Sequence, residues 1–465
     1  MKNTTLLGIL AVLVLEAGCT MGPKYKRPTV DVPQEYRAPA PQQATQASSL
    51  GNEQWWQVYQ DPVLTQLIHA AIAQNYDVRI AAARVLEAQA QVGITRANQL
   101  PSANVGADVF SQQNAKVTKL FPAYEVNGGE LNLSVIWNLD FWGKYRRQTE
   151  AARAQLLATE WGQRAVISSL VANVATAYFQ LRALDNELEI SQRTLASRQQ
   201  SLRLTQTLES HGGASGLDLS QSEQLVYTAS ETIPDLERQI QQQENVLSVL
   251  VGENPQSIPR GRALTEQPVP QNVPAGLPSE LLQRRPDIRQ AEEIMVAANA
   301  QIGVAKAAFF PSLSLTGLGG LESNALHQFI TAPSETWYAA FNVSQPVFEG
   351  GALRSQLRLA RANWQEAVAS YEQTVQNSLE QVSSALIASQ KDREFREQQE
   401  LLTGAAQRTD QLSEVLYKNG GASYLQVLTS ETNYFSAELN LVQAQLNERL
   451  ALVQLYQALG GGWQQ

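Results

Sequence analysis

The 465-residue chain is acidic, with 44 Asp and Glu against 35 Lys and Arg and a formal net charge of −9, so it presents no basic field for nucleic acid. Its single cysteine excludes an internal disulfide framework and a thiolate metal site. The length would suffice for roughly two to four ordinary domains.

The chain opens with Lys2, an apolar run from Leu6 to Leu15, and the small residues Ala17-Gly18 before Cys19. Residues 1–18 therefore read as a bacterial secretory signal, too short for a membrane-spanning helix. A cysteine directly after such a segment resembles the lipobox, where the thiol is acylated and becomes the mature N-terminus. Glu16 stands where the lipobox normally has an apolar residue, and Thr20 favours the outer membrane over inner-membrane retention. Residues 19–61 carry Pro23, Pro28, Pro33, Pro39 and Pro41 without helix or strand periodicity, as expected of a lipidated, extended tether.

Two copies of one plan follow, over 62–253 and 278–465, joined by a Pro-rich linker at 254–277. Asn75-Tyr76-Asp77-Val78-Arg79 is answered by Arg285-Pro286-Asp287-Ile288-Arg289, and Gln91-Val92-Gly93-Ile94 by Gln301-Ile302-Gly303-Val304. Pro101-Ser102 is answered by Pro311-Ser312, and Gly212-Gly213-Ala214-Ser215 by Gly420-Gly421-Ala422-Ser423. A repeat this long is a duplicated supersecondary unit.

In the first copy a helix is predicted over about 62–99, then two strands within 102–142. Val105, Ala107 and Val109 alternate with Asn104, Gly106 and Asp108; Leu131, Leu133, Val135, Trp137 and Leu139 alternate with Asn132, Ser134 and Asn138. Period two marks strands with one apolar and one polar face. The second copy repeats the pair over 312–348, its last strand reading Trp337–Phe348.

Long helices come next, at 145–210 and 352–418. Leu170, Val174, Ala177, Leu181, Leu184, Leu188, Ser191, Leu195, Arg198, Leu202 and Thr205 step alternately by four and three, a coiled-coil seam. Such a helix is roughly 100 Å long. Each ends at a Gly-Gly turn, glycine being the expected residue past a helix end, and a return helix follows at 217–252 or 424–459. Pro234 interrupts the first return helix and predicts a kink or break there.

Four amphipathic strands cannot span a membrane alone, because strands in lipid must close without edges; several chains must pool them. Trp137, Phe141, Trp142, Trp337, Tyr338 and Phe348 fall near strand ends, where interfacial aromatic belts lie. The Ala-rich helices are too long for a globular domain and must pack against copies of themselves.

These features, with Met21-Gly22-Pro23, Gly276-Leu277-Pro278-Ser279, Arg284-Arg285-Pro286-Asp287-Ile288-Arg289-Gln290-Ala291-Glu292 and Leu459-Gly460-Gly461-Gly462-Trp463, resemble the TolC-like outer membrane factors. The resemblance covers essentially the whole chain and points to the lipoprotein branch serving resistance-nodulation-division efflux pumps. It implies a mixed α and β membrane fold: a homotrimer with a twelve-stranded outer-membrane barrel continued by a helical coiled-coil tunnel in the periplasm. It also implies a periplasmic adaptor and an inner-membrane pump as partners, and passive conduction of drugs or other toxic small molecules.

The closed end of such a tunnel is expected at the hairpin tips. Leu425 and Thr429, spaced i, i+4, share a helix face; three copies give a Leu425 constriction and a Thr429 collar. Relatives commonly carry an acidic residue near the Thr429 position, and its absence here argues against an acidic, cation-selecting ring. Tyr417 stands where relatives use Tyr in a gate-locking contact, and Asp218 is placed to accept a hydrogen bond from a neighbouring tip. The simpler roles are packing of Leu425 within its hairpin and helix-start stabilisation by Asp218. Gly212, Gly213, Gly420 and Gly421 are the expected adaptor contact, or simple helix caps. Asp287 and Arg289 read as structural residues at a helix start.

Two other readings compete with the duct. One is a non-conducting structural coiled-coil lipoprotein. The other is an envelope enzyme, but His69, His211 and His327 are far apart, and no Gly-x-Ser-x-Gly elbow or phosphate loop is present. Gly317-Leu318-Gly319-Gly320 lies in a predicted strand. No cofactor, metal or catalytic residue is expected.

Overall fold

The computed structural model describes residues 20–38, 49–113, 125–267, 275–324 and 329–463; Cys19 and His327 lie outside them. Packing divides the chain into two compact units. One comprises Arg84–Glu160 and Gln290–Glu372 with the N-terminal segment through Thr29; the other comprises Val30–Ala83, Trp161–Arg289 and Gln373–Gln465.

In chain order the helices and strands are α1 (Trp55–Tyr59), α2 (Pro62–Gln74), α3 (Tyr76–Ala97), β1 (Ser102–Gln113), β2 (Glu125–Leu139), α4 (Lys144–Ser210) and α5 (Gly216–Val251). The second repeat supplies α6 (Pro278–Arg284), α7 (Pro286–Ala307), β3 (Ser312–Ser323), β4 (Glu335–Ser344), α8 (Ala352–Lys418) and α9 (Tyr424–Ala458). Both long helices, α4 and α8, contain 67 residues.

The first unit holds a single antiparallel sheet in the order β1-β2-β3-β4. Its register lines up Val105, Leu133, Gly319 and Trp337 across the four strands, and Trp137, Leu315 and Phe341 across three. Directly opposed residues share a face, so these strands form one apolar surface. Asn138, Ser314 and Asn342 form part of the other. The apolar face is bare: Val109 is 95 % exposed and Trp337 81 %. At the base of β2 the Trp142 ring stacks on Phe310 at 4.7 Å and its indole donates to the Pro311 carbonyl.

The N-terminal segment is clamped to this unit. The Met21 amide donates to the Trp142 carbonyl, and Arg147 Nε donates to the Met21 carbonyl at 3.1 Å. Gly22, at φ +103°, crosses helix α7 at Gly303, where an added Cβ would meet the Met21 carbonyl oxygen at 2.6 Å. Further along, Arg27 grips Glu292 with both Nε and Nη2, and Tyr25 donates to the same carboxylate.

In the second unit the α4 seam faces inward: Leu170, Val174, Ala177 and Leu181 are buried, and so are its polar members Ser191, Arg198 and Thr205. Asp61 ties the linker down. Its carboxylate caps α2 through the Val63 and Leu64 amides and accepts from Tyr178 Oη, the Arg262 amide and Gln267 Nε2. At the start of α7, Arg285 grips Asp287 with two nitrogens and donates to the Ala458 carbonyl, while Arg289 lies over the Trp161 ring at 5.3 Å.

Four expectations need correction. The helix of 62–99 is two, because the Asn75 side chain accepts the Asp77 and Val78 amides and starts a new helix; Arg285 before Pro286 makes the same break in the second repeat. Helix α5 is continuous through Pro234, so of the expected kink or break the break is absent. The last strand ends at Ser344, leaving Phe348 88 % exposed beyond it. The span 19–61 is not tether throughout, since α1 buries Trp55, Val58 and Tyr59.

Candidate functional site

Both hairpin tips are built by the same backbone device. Helix α4 ends with the Gly212 amide bonded to the Glu209 carbonyl and the Gly213 amide to Leu208; helix α8 ends with Gly420 bonded to Tyr417 and Gly421 to Leu416. This paired bonding with a left-handed glycine is the Schellman motif. Gly212 and Gly420 have φ of +76° and +72°, a conformation other residues adopt only with strain. Gly213 and Gly421 are different: their φ is ordinary and a Cβ there would meet its neighbours at normal contact distance. Neither glycine at the second position is demanded by the turn.

The return helices are then capped. Ser215 Oγ accepts the Asp218 amide at 3.1 Å, and the Asp218 carboxylate accepts the Ser215 amide at 2.9 Å, a reciprocal capping box. Gln426 Oε1 does the same for the Ser423 amide. Asp218 thus has a demonstrated local role at the N-terminus of α5.

Side chains then sort by face. Tyr424, Val427 and Leu428 on α9 form a buried cluster against which Leu225 and Tyr417 pack. The Tyr417 and Tyr424 rings lie 5.3 Å apart, and Tyr424 Oη donates to Ser222 Oγ at 2.7 Å, joining α9 to α5. Burial, then the charge of Asp218, raises the Tyr417 phenol above its ordinary pKa. Tyr417 and Asp218 therefore meet electrostatically where the two tips of one chain adjoin. Leu425 and Thr429 project from the opposite face of α9. Leu425 is 61 % exposed, and Thr429 Oγ1 donates to the Leu425 carbonyl at 2.8 Å. Leu425 is therefore only partly covered by its own chain.

Two features escaped the sequence reading. One is the clamp on residues 20–27. The other is a polar cluster where α4, α8 and α9 meet, containing Arg198, Asp410 and Glu431; its one sequence signal was Arg198 in an otherwise largely apolar seam. Elsewhere, His69 packs its ring against Trp55 at 4.9 Å, and His211 bonds the Thr207 carbonyl. No described helix is long and apolar enough to cross a membrane.

A family model described as outer membrane efflux protein matches residues 67–253 and 277–461, one match per repeat. The cation efflux system protein CusC of Escherichia coli is 33 % identical over 470 residues, covering 100 % of both chains. The probable efflux pump outer membrane protein TtgC of Pseudomonas putida is 33 % identical over 471 residues, covering 99 % of this chain and 96 % of its own. The open-state outer membrane channel MtrE of Neisseria gonorrhoeae superposes with a TM-score of 0.86 at 29 % identity, covering 96 % of this chain and 99 % of that one.

Proposed function

The chain belongs to the outer membrane efflux protein family, and from that premise we propose that its tunnel is closed at the second hairpin tip by a ring of Leu425 side chains. The protein is the outer-membrane channel of an efflux system. Three copies of the four-stranded sheet pair β1 of one copy with β4 of the next, giving the closed twelve-stranded barrel that lipid requires. The duct has no catalytic step of its own. It passes drugs or other toxic small molecules delivered by a periplasmic adaptor and an inner-membrane pump of the resistance-nodulation-division type.

The observation that carries the gate reading is the exposure of Leu425 and Thr429 on one face of α9 while Tyr424, Val427 and Leu428 bury the other. An apolar ring excludes hydrated solutes by dewetting, and a hydroxyl collar one turn behind it adds no charge selection. Tyr417 and Asp218 hold the two tips of each chain together behind that ring. Gly213 and Gly421 supply the bare surface for the adaptor's own tip. Cys19 carries the lipid, and the intact mass of the mature chain, beside that of Cys19→Ser, checks it.

Single-channel conductance in a planar bilayer tests the gate. Wild-type trimers give small, rarely open currents, and Leu425→Ala with Thr429→Ala gives larger and longer ones. Equal currents from both forms would remove Leu425 from the gate; silence from a folded trimer in both forms would favour a non-conducting scaffold.

A further inference from the structure

One turn beyond the gate face, α9 carries a carboxylate that its surroundings do not neutralise. Glu431 lines a cavity of about 180 Å³ together with Arg193 and Arg198 of α4 and Asp410 of α8. Ser201 Oγ of α4 donates to Glu431 Oε1 at 3.4 Å, and Ser430 Oγ donates to Asp410 Oδ1 at 3.3 Å. On α9 itself Glu438 also lines the cavity, but it is paired with Arg193. Glu414 of α8, the next acidic group, pairs with Lys418. From the α5 side the facing group is the Leu225 carbonyl, which Arg198 Nη1 occupies at 3.0 Å.

The charges do not balance. Arg193 pairs with Glu438, leaving Arg198 beside Glu431 in a cavity that Asp410 also lines. Arg198 is 2 % exposed, lies 5.1 Å from the Phe435 ring, and its Nε has no hydrogen-bond partner. The cavity thus holds Arg198 against two partly buried carboxylates, Asp410 and Glu431, and like charges sharing such a site keep a proton.

We propose that Asp410 and Glu431 form a proton-operated latch that holds α9 packed between α4 and α8 when protonated and loosens it when ionised. Burial, then the charge of Asp410, raises Glu431 from its ordinary 4.5 to about 7. Burial likewise raises Asp410. The direction follows from linkage. Between 4.5 and about 7 the packed state keeps a proton that an unpacked Glu431 would release. Packing therefore weakens as pH rises through that window and stays weak above it. Since α9 carries Leu425 and Thr429, the channel opens more readily on the alkaline side; this consequence rests on the gate reading above.

Hydrogen exchange of α9 peptides in the purified trimer tests the latch without relying on conduction. After correction for intrinsic exchange, wild-type protection over residues 424–438 falls about tenfold between pH 6 and pH 8. In Glu431→Gln, which mimics the protonated carboxyl, that dependence disappears. Asp410→Asn flattens it as well and serves if the first variant fails to assemble. A wild-type profile retained in both variants, or no pH dependence in wild type, overturns the latch. Conductance separates this result from the gate. If Leu425→Ala enlarges currents while exchange ignores pH, the latch falls and the gate stands. If exchange follows pH but Leu425→Ala changes no current, the latch stands and the gate falls.

Discussion

Asp61 shows how a single carboxylate organises a region with little regular structure. It is buried, and it accepts five hydrogen bonds, from α2, from Tyr178 on α4 and from the linker at Arg262 and Gln267. Burial alone would raise its pKa, but the donors outweigh it and hold Asp61 below the usual carboxylate value. A depressed pKa contributes stability that is present above the ordinary value and is lost as pH falls through the depressed one. Asp61→Ala leaves several buried donors without an acceptor and is expected to destabilise the trimer by about 2–4 kcal/mol. A lowered midpoint of urea unfolding at pH 7, with the gap to wild type closing in acid, is the result to look for. Unchanged midpoints would mean that water replaces the carboxylate without loss.

At the scale of elements, most of the architecture was legible because each element announces itself by one period. Alternation gave four strands, the four-three seam gave α4, and the Gly-Gly turns gave both hairpin ends, all observed within a few residues of expectation. What failed depended on side chains rather than pattern. Asn75 capping a new helix, Pro234 accommodated inside α5, and α1 buried where a tether was expected all turn on local bonding or tertiary burial. The clamp of Gly22 on Gly303 was invisible because it joins residues far apart in sequence. Of the site residues, the faces of Leu425 and Thr429 could be read from spacing. The Ser215 partner of Asp218 and the packing of Tyr417 against Tyr424 needed coordinates. The tips also separate two kinds of glycine. Gly420→Leu strains a left-handed turn and is expected to lower assembly, whereas Gly421→Leu should assemble and conduct normally yet fail to support drug efflux in cells. Normal efflux by Gly421→Leu would remove that surface from the adaptor contact.

For the whole molecule, the sheet decides the assembly. Its apolar face is bare and its β1 and β4 edges carry no partner strand within the described chain, so one copy is incomplete in lipid and three copies close the barrel. On the gate reading proposed above, the same threefold axis would turn the exposed Leu425 of each chain into a ring. A Leu425→Cys variant made in a Cys19→Ser background tests this most directly, because the new thiol is then the only one in the chain. With the gate closed, mild oxidation should link neighbouring chains covalently and suppress the residual current, and a reductant should restore it. If the thiols remain free and the current is untouched by oxidant, Leu425 does not converge at the axis and the tunnel is closed elsewhere.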